Sequence, residues 1–141
     1  MNKTTHTLVI ESRVEAIADA RHWVADCATA ASFDESLLFP ITLATGEALA
    51  NIIEHAYQYE SGHEIHLTLI FDDEKLTLLI RDFGKKPDMS KYVAPDLDIP
   101  SGDGGYGVYL IEEVMDEVDY DTSMAEGTQL SIIKYRSEAR S

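Results

Sequence analysis

Glu47, Asn51 and His55 recur every fourth residue within an apolar stretch, residues 43–57. On a helix each step of four residues turns only ~40° about the axis, so the three side chains form a row. Leu49, Ile52, Ile53 and Ala56 recur at i, i+3, i+4 and i+7 and form an apolar stripe beside that row. A carboxylate and a carboxamide one turn apart, edging a core, make an oxygen-rich wall. Such a wall suits a Mg²⁺ ion and a hydroxyl or water that must lose a proton. The same residue types also make an ordinary solvated helix face. Two choices weigh against that reading: Asn is a poor mid-helix residue, and Gly46 costs roughly 1 kcal/mol there against Ala. Together they point to a site that needs a side-chain carbonyl and a close approach.

Two more stretches carry chemistry. Asp82-Phe83-Gly84 ends an apolar alternating run. A carboxylate there can accept a hydrogen bond from an exocyclic amine such as that of adenine, and the glycine lets a flat ring approach the backbone. Taken alone, Asp-x-Gly is also a common turn. Gly104, Gly105 and Gly107 open a helical stripe of Val108, Ile111, Val114 and Met115. Uncovered backbone N–H groups at a helix start attract phosphate oxygens, although a plain loop-to-helix turn uses the same glycines. No Gly-Lys-Ser/Thr follows, so this is not a P-loop, and the cluster does not open a βαβ repeat, which disfavours a dinucleotide fold.

The elements that must position these groups follow from periodicity. Leu8, Val9 and Ile10 read as a short edge strand. Ser12 and Glu15 read as a capping box opening a helix to about Ala31, with Val14, Ile17, Ala18, Arg21, Val24, Ala25 and Ala28 on its apolar side. The helix carrying Glu47 is expected to start near Phe39 or Pro40, where proline is tolerated in a first turn, and to end about Tyr57. Ile65, Leu67, Leu69 and Phe71, then Leu76, Leu78 and Ile80, alternate around an Asp72-Asp73-Glu74-Lys75 turn and predict a hairpin. Residues 85–103, with Pro87, Pro95 and Pro100, show no period and read as a long lid-like loop. Strands are expected around Val118 and Tyr120, and around Leu130 and Ile132, with Gly127 turning between them. Residues 136–141 read as a loose polar tail.

The 141 residues suit a single domain with a proper core. No apolar run approaches the ~18 residues of a membrane span, and no signal-peptide core is evident near the start. The single Cys27, among alanines, reads as a packing thiol in a reducing cytoplasm. A net charge of −15 excludes bulk electrostatic attraction to nucleic acid or anionic lipid. An anionic nucleotide would need Mg²⁺ and focused backbone donors.

In this order, the motifs resemble those of the GHKL ATP-binding superfamily, whose fold is the Bergerat fold. Glu47-Ala48-Leu49-Ala50-Asn51 with His55-Ala56-Tyr57 resembles its N-box, Asp82-Phe83-Gly84 its first glycine box, residues 104–111 its second, and Gly127-Thr128 its closing motif. The short length, His-Ala-Tyr and Gly-Gly-x-Gly-x-x-Leu-Ile are most similar to anti-sigma-factor serine/threonine protein kinases of bacterial partner-switching systems. The resemblance spans residues 8–135.

It implies an α/β two-layer sandwich, a mixed, mostly antiparallel sheet of about five strands with about three helices on one face. It implies ATP and Mg²⁺ as cofactors. Asn51 would hold the metal and Glu47 would act as general base toward a partner's serine. Asp82 would hold the adenine amine, with Gly84 and Thr128 beside it. Gly104, Gly105, Tyr106, Gly107 and Val108 would lie at the phosphates. Implied partners are a STAS-domain anti-anti-sigma protein, a sigma factor and a regulatory phosphatase, acting on a cytoplasmic homodimer, without direct nucleic-acid or membrane binding. One departure stands out: many such kinases carry an Arg just before the second glycine box, and Ile99-Pro100-Ser101-Gly102-Asp103 has none. Lys85, Lys86 and Lys91 are the only basic lid residues, and an ammonium lacks the bidentate fork. Two alternatives therefore stay open: a nucleotide-gated binding module without kinase turnover, and a detached histidine-kinase-like ATPase domain.

Overall fold

Alternating apolar residues build the sheet. A computed structural model describes residues 3–86 and 105–136; residues 87–103 of the expected lid, Gly104 and the tail from residue 137 lie outside the described residues. Five strands, β1 (Thr4–Glu11), β2 (Glu64–Phe71), β3 (Lys75–Asp82), β4 (Glu117–Asp121) and β5 (Thr128–Tyr135), form one sheet in the order β1-β2-β3-β5-β4. The expected sheet is mixed and mostly antiparallel; among the described residues every neighbouring pair is antiparallel and none is parallel. β1 is an edge strand as expected but longer, running from Thr4 to Glu11. The β2–β3 hairpin closes on Asp72, whose Oδ1 accepts the N–H groups of Glu74 at 2.8 Å and Lys75 at 2.9 Å, a side-chain mimic of a turn.

Period two sends one face of each strand inward. Ile65, Leu67, Leu69 and Phe71 from β2, Leu76, Leu78 and Ile80 from β3, and Leu130 and Ile132 from β5 are buried. Among the described residues, three α-helices, α1 (Glu15–Ala30), α2 (Leu38–Asn51) and α3 (Gly105–Val114), complete the fold, with α2 packed against both α1 and α3. The core forms where the helices meet the sheet, the expected two-layer arrangement.

Two local expectations are corrected. Ser12 does not cap α1: the N-cap is Val14, with helical dihedrals and no side-chain cap bond. Ser12 is buried, and its hydroxyl donates to the Glu60 carbonyl at 2.7 Å and accepts from the His63 N–H at 3.1 Å. The serine thus ties the β1–α1 corner to the loop before β2. The inward face of α1 is Ala16, Ala20, Val24 and Ala28, whereas Val14, Ala18 and Arg21 are exposed. A four-residue repeat of mostly small side chains lets α1 lie close along α2. Cys27 is half-buried and burial pushes its thiol pKa up, as does the Asp26 charge, which fits a packing role.

A 3-10 turn at Glu35–Leu37 leads into α2, so Pro40 falls in the first helical turn. A π-helical turn, Ile52–Ala56, continues α2. The joined helical stretch Glu35–Ala56 is, by length and composition alone, apolar enough to cross a bilayer, which the apolar-run reading did not anticipate. In this fold its Ile41, Ala44, Ala48, Leu49 and Ile53 are core residues, and Thr45 is buried with its hydroxyl donating to the Ile41 carbonyl.

Candidate functional site

Asp82 stands where the inward alternation of β3 meets its end. Leu76, Leu78 and Ile80 precede it on the same face, so the pleat carries a carboxylate under the helical layer, where it is only 4% exposed. Its partner across the ladder is Thr128, the first residue of β5, also 4% exposed. Desolvation pushes the Asp82 pKa above the usual carboxylate value, against the pull of the Gly84 N–H, the Arg81 charge and the Thr128 N–H. The Thr128 hydroxyl is buried without a hydrogen-bond partner among the described residues. Buried polar groups are nearly always satisfied, and leaving one unpaired costs about 1–3 kcal/mol. A desolvated carboxylate beside an unpaired hydroxyl supplies acceptors and a donor for the edge of a heteroaromatic ring bearing an amine.

The turn after Asp82 is fixed by backbone donors. The Gly84 N–H donates to Asp82 Oδ1 at 3.0 Å, and the Lys85 N–H donates to the Ala56 carbonyl at 2.9 Å. A Cβ at Gly84 would lie 2.5 Å from the Ala56 carbonyl oxygen, so only glycine lets this turn abut the helix end. Gly127 is under stricter demand: its φ is +70° and a Cβ would lie 2.0 Å from the Asp82 carbonyl oxygen. The first glycine box and the closing Gly127-Thr128 pair therefore meet backbone to backbone.

Glu47 and Asn51 lie one turn apart on α2, both half-buried. His55, the third member of the expected row, lies beyond the α-helical residues. Asn51 is the last α-helical residue, and His55 lies in the following π turn, closed by Tyr57 N–H to Ile52 carbonyl at 3.0 Å. His55 is exposed and lies 3.6 Å from the Glu54 carboxylate. Gly46 meets no other backbone; a Cβ there would lie 3.1 Å from the Arg21 Cδ, so the close approach it permits is by an α1 side chain.

Gly105, Tyr106, Gly107 and Val108 form the first turn of α3, which packs against α2. Gly104 lies outside the described residues. Lys86 is engaged by its neighbours, its ammonium donating to the Met124 carbonyl. Among the described residues there is no cluster of three or more His, Cys, Asp or Glu side chains fit to hold a metal. A Mg²⁺ ion that keeps waters and phosphate oxygens needs only one or two protein oxygens, and the Asn51 carboxamide is such a donor.

Sequence reasoning gave Tyr57 no role of its own beyond its place in His55-Ala56-Tyr57. It is 5% exposed, and its hydroxyl donates to the Glu64 carbonyl at 2.7 Å while accepting the Phe83 N–H at 2.8 Å. The signal was its place at the end of His55-Ala56-Tyr57; its partners, seven and 26 residues further on, carry none.

Comparison with known proteins bears on this geometry. Residues 10–134 match the family model described as the histidine kinase-like ATPase domain. The chain is 31% identical over 123 residues to the serine/threonine-protein kinase BtrW of Bordetella bronchiseptica, covering 85% of this chain and 87% of that protein. It is 28% identical over 142 residues to the serine-protein kinase RsbW of Listeria monocytogenes, covering 94% and 87%. The serine-protein kinase RsbW of Bacillus velezensis matches at 27% over 107 residues, covering 71% and 66%.

Proposed function

Because this chain belongs to the histidine kinase-like ATPase domain family, we propose that it binds Mg-ATP and phosphorylates a serine of a STAS-domain antagonist, regulating a sigma factor by partner switching. The single observation that carries nucleotide binding is the unpaired Thr128 hydroxyl buried beside Asp82. Relatives named as serine-protein kinases support the reaction class.

The chain's own residues divide the work. Asp82 accepts the adenine amine in a desolvated setting where that hydrogen bond is strong. Gly84 and Gly127 keep Cβ atoms out of the turn that frames the base. The first turn of α3, Gly105 to Val108 following Gly104, offers N–H donors and the helix dipole to the phosphates. Asn51 supplies a hard oxygen for Mg²⁺, which when bound neutralises phosphate charge. Glu47, one turn earlier, takes the proton of the incoming serine hydroxyl. The reading extends to a cytoplasmic homodimer, with a phosphatase resetting the antagonist.

Titration of Mg-ATP into wild type and Asn51→Ala tests binding: the variant is expected to lose about tenfold or more in affinity. Incubation with candidate STAS partners and Mg-ATP tests turnover, with phosphoserine formed by wild type and lost in Glu47→Ala. Nucleotide bound without phosphoserine on any partner defeats the kinase step. A second reading, a nucleotide-gated module without turnover, draws on the missing lid Arg and on the engagement of Lys86 with Met124. Glu47→Ala that abolishes signalling while ATP still binds rules that reading out.

A further inference from the structure

We infer that Tyr57 is the positioning residue for the base half of this site, its hydroxyl setting the Asp82 carboxylate through the backbone of residues 83–85. The inference rests on the proposed reading of Asp82. Three successive N–H groups leave this turn, and each has a single defined acceptor. Phe83 donates to the Tyr57 hydroxyl at 2.8 Å, Gly84 to Asp82 Oδ1 at 3.0 Å, and Lys85 to the Ala56 carbonyl at 2.9 Å. The middle bond orients the carboxylate, and the two flanking bonds run to adjacent residues of the helix end. Tyr57 therefore decides where the Gly84 N–H sits, and hence which way Asp82 faces.

The phenol is itself held on every side. Its hydroxyl donates to the Glu64 carbonyl at 2.7 Å, so its lone pair is aimed at Phe83. Its ring stacks on His63 with centroids 4.6 Å apart and planes 6° from parallel. A Cβ on Gly84 would lie 2.9 Å from Tyr57 Cδ1, so the glycine backbone rests directly against the ring. Tyr57 also ends the helical stretch bearing Glu47 and Asn51, with the π turn between. The phosphate-side residues and the base-side turn are thereby joined at one phenol.

Tyr57→Phe keeps the ring and the stacking and removes only the hydroxyl. The test titrates the Mg²⁺ complexes of ATP and of purine riboside triphosphate, which lacks the 6-amino group, into wild type and variant. The expected result is a loss of roughly five- to tenfold for ATP and less than about twofold for the amine-free analogue. Equal losses for both ligands reduce Tyr57 to a general structural role and overturn the inference, as does an unchanged ATP affinity. Wild type that binds both ligands equally refutes the Asp82 reading itself, a failure distinct from that of Tyr57. If Tyr57→Phe does not fold, His63→Ala removes the stacked ring and keeps the hydroxyl. Its expected loss is smaller and again confined to ATP, and a loss shared by both ligands overturns the inference.

Discussion

Asp82 shows how one residue can be costly to the fold and useful to a site. Burial raises its pKa, so the folded state holds the proton more tightly than the unfolded chain does. Its stability contribution is therefore full below the unfolded value of ~3.9 and is lost as pH rises through the folded value. Asn at this position keeps an acceptor for the Gly84 N–H and does not titrate. The melting-temperature difference, Asp82→Asn minus wild type, is expected to grow more positive from about pH 4 to about pH 7 without nucleotide. A flat or falling difference contradicts the desolvation assignment. The residue types of this site were legible: a carboxylate ending an alternating run, and glycines where backbones meet. Which glycine mattered for which approach was not. Gly46 and Gly127 look alike in sequence, yet one faces a flexible arginine stem and the other a carbonyl oxygen.

At the scale of elements, the β1–α1 corner carries a lesson about local motifs. Ser12-Arg13-Val14-Glu15 has the spacing of a capping box, but the serine is turned away from its own helix toward Glu60 and His63. Ser12→Ala is expected to cost about 1–2 kcal/mol because it removes a buried hydroxyl that bridges the part-buried Glu60 carbonyl and His63 N–H. Glu15→Ala is expected to cost less than about 0.5 kcal/mol, as at an ordinary surface position. Denaturant melts of both variants check the contrast, since a true capping box would penalise the two substitutions similarly. The π turn after Asn51 is the other element-scale device. Its last residue, Ala56, and the following Tyr57 meet the turn after Asp82, accepting from the Lys85 and Phe83 N–H groups. Such turns recur at functional sites because they re-aim side chains without ending a helix.

The molecule as a whole carries 26 acidic against 11 basic side chains, a net charge of −15. Self-repulsion at that charge opposes the compact state, and salt screens it over a Debye length that shrinks to ~8 Å at physiological ionic strength. Melting temperature is therefore expected to rise by about 3–6 °C between ~0.02 M and ~0.3 M NaCl, a shift that thermal melts resolve. No rise would mean that local ion pairs offset the global repulsion. The described pairs are mostly short-range surface contacts, such as Arg13 with Glu11 and with Glu15, which contribute little.

The sequence alone determined what repeats locally. Alternation marked the hairpin and the last strand, the 3.6-residue period marked the central helix, and the motif order marked the family. Each of these depends on near neighbours in the chain, whose faces the backbone geometry dictates. Only the tertiary structure decided the pairings across long separations: Thr128 opposite Asp82, Ser12 with Glu60 and His63, and Tyr57 with Phe83. A hydroxyl carries no sequence signal of its partner, because its hydrogen bond is chosen by whichever backbone the folded core brings within 3 Å.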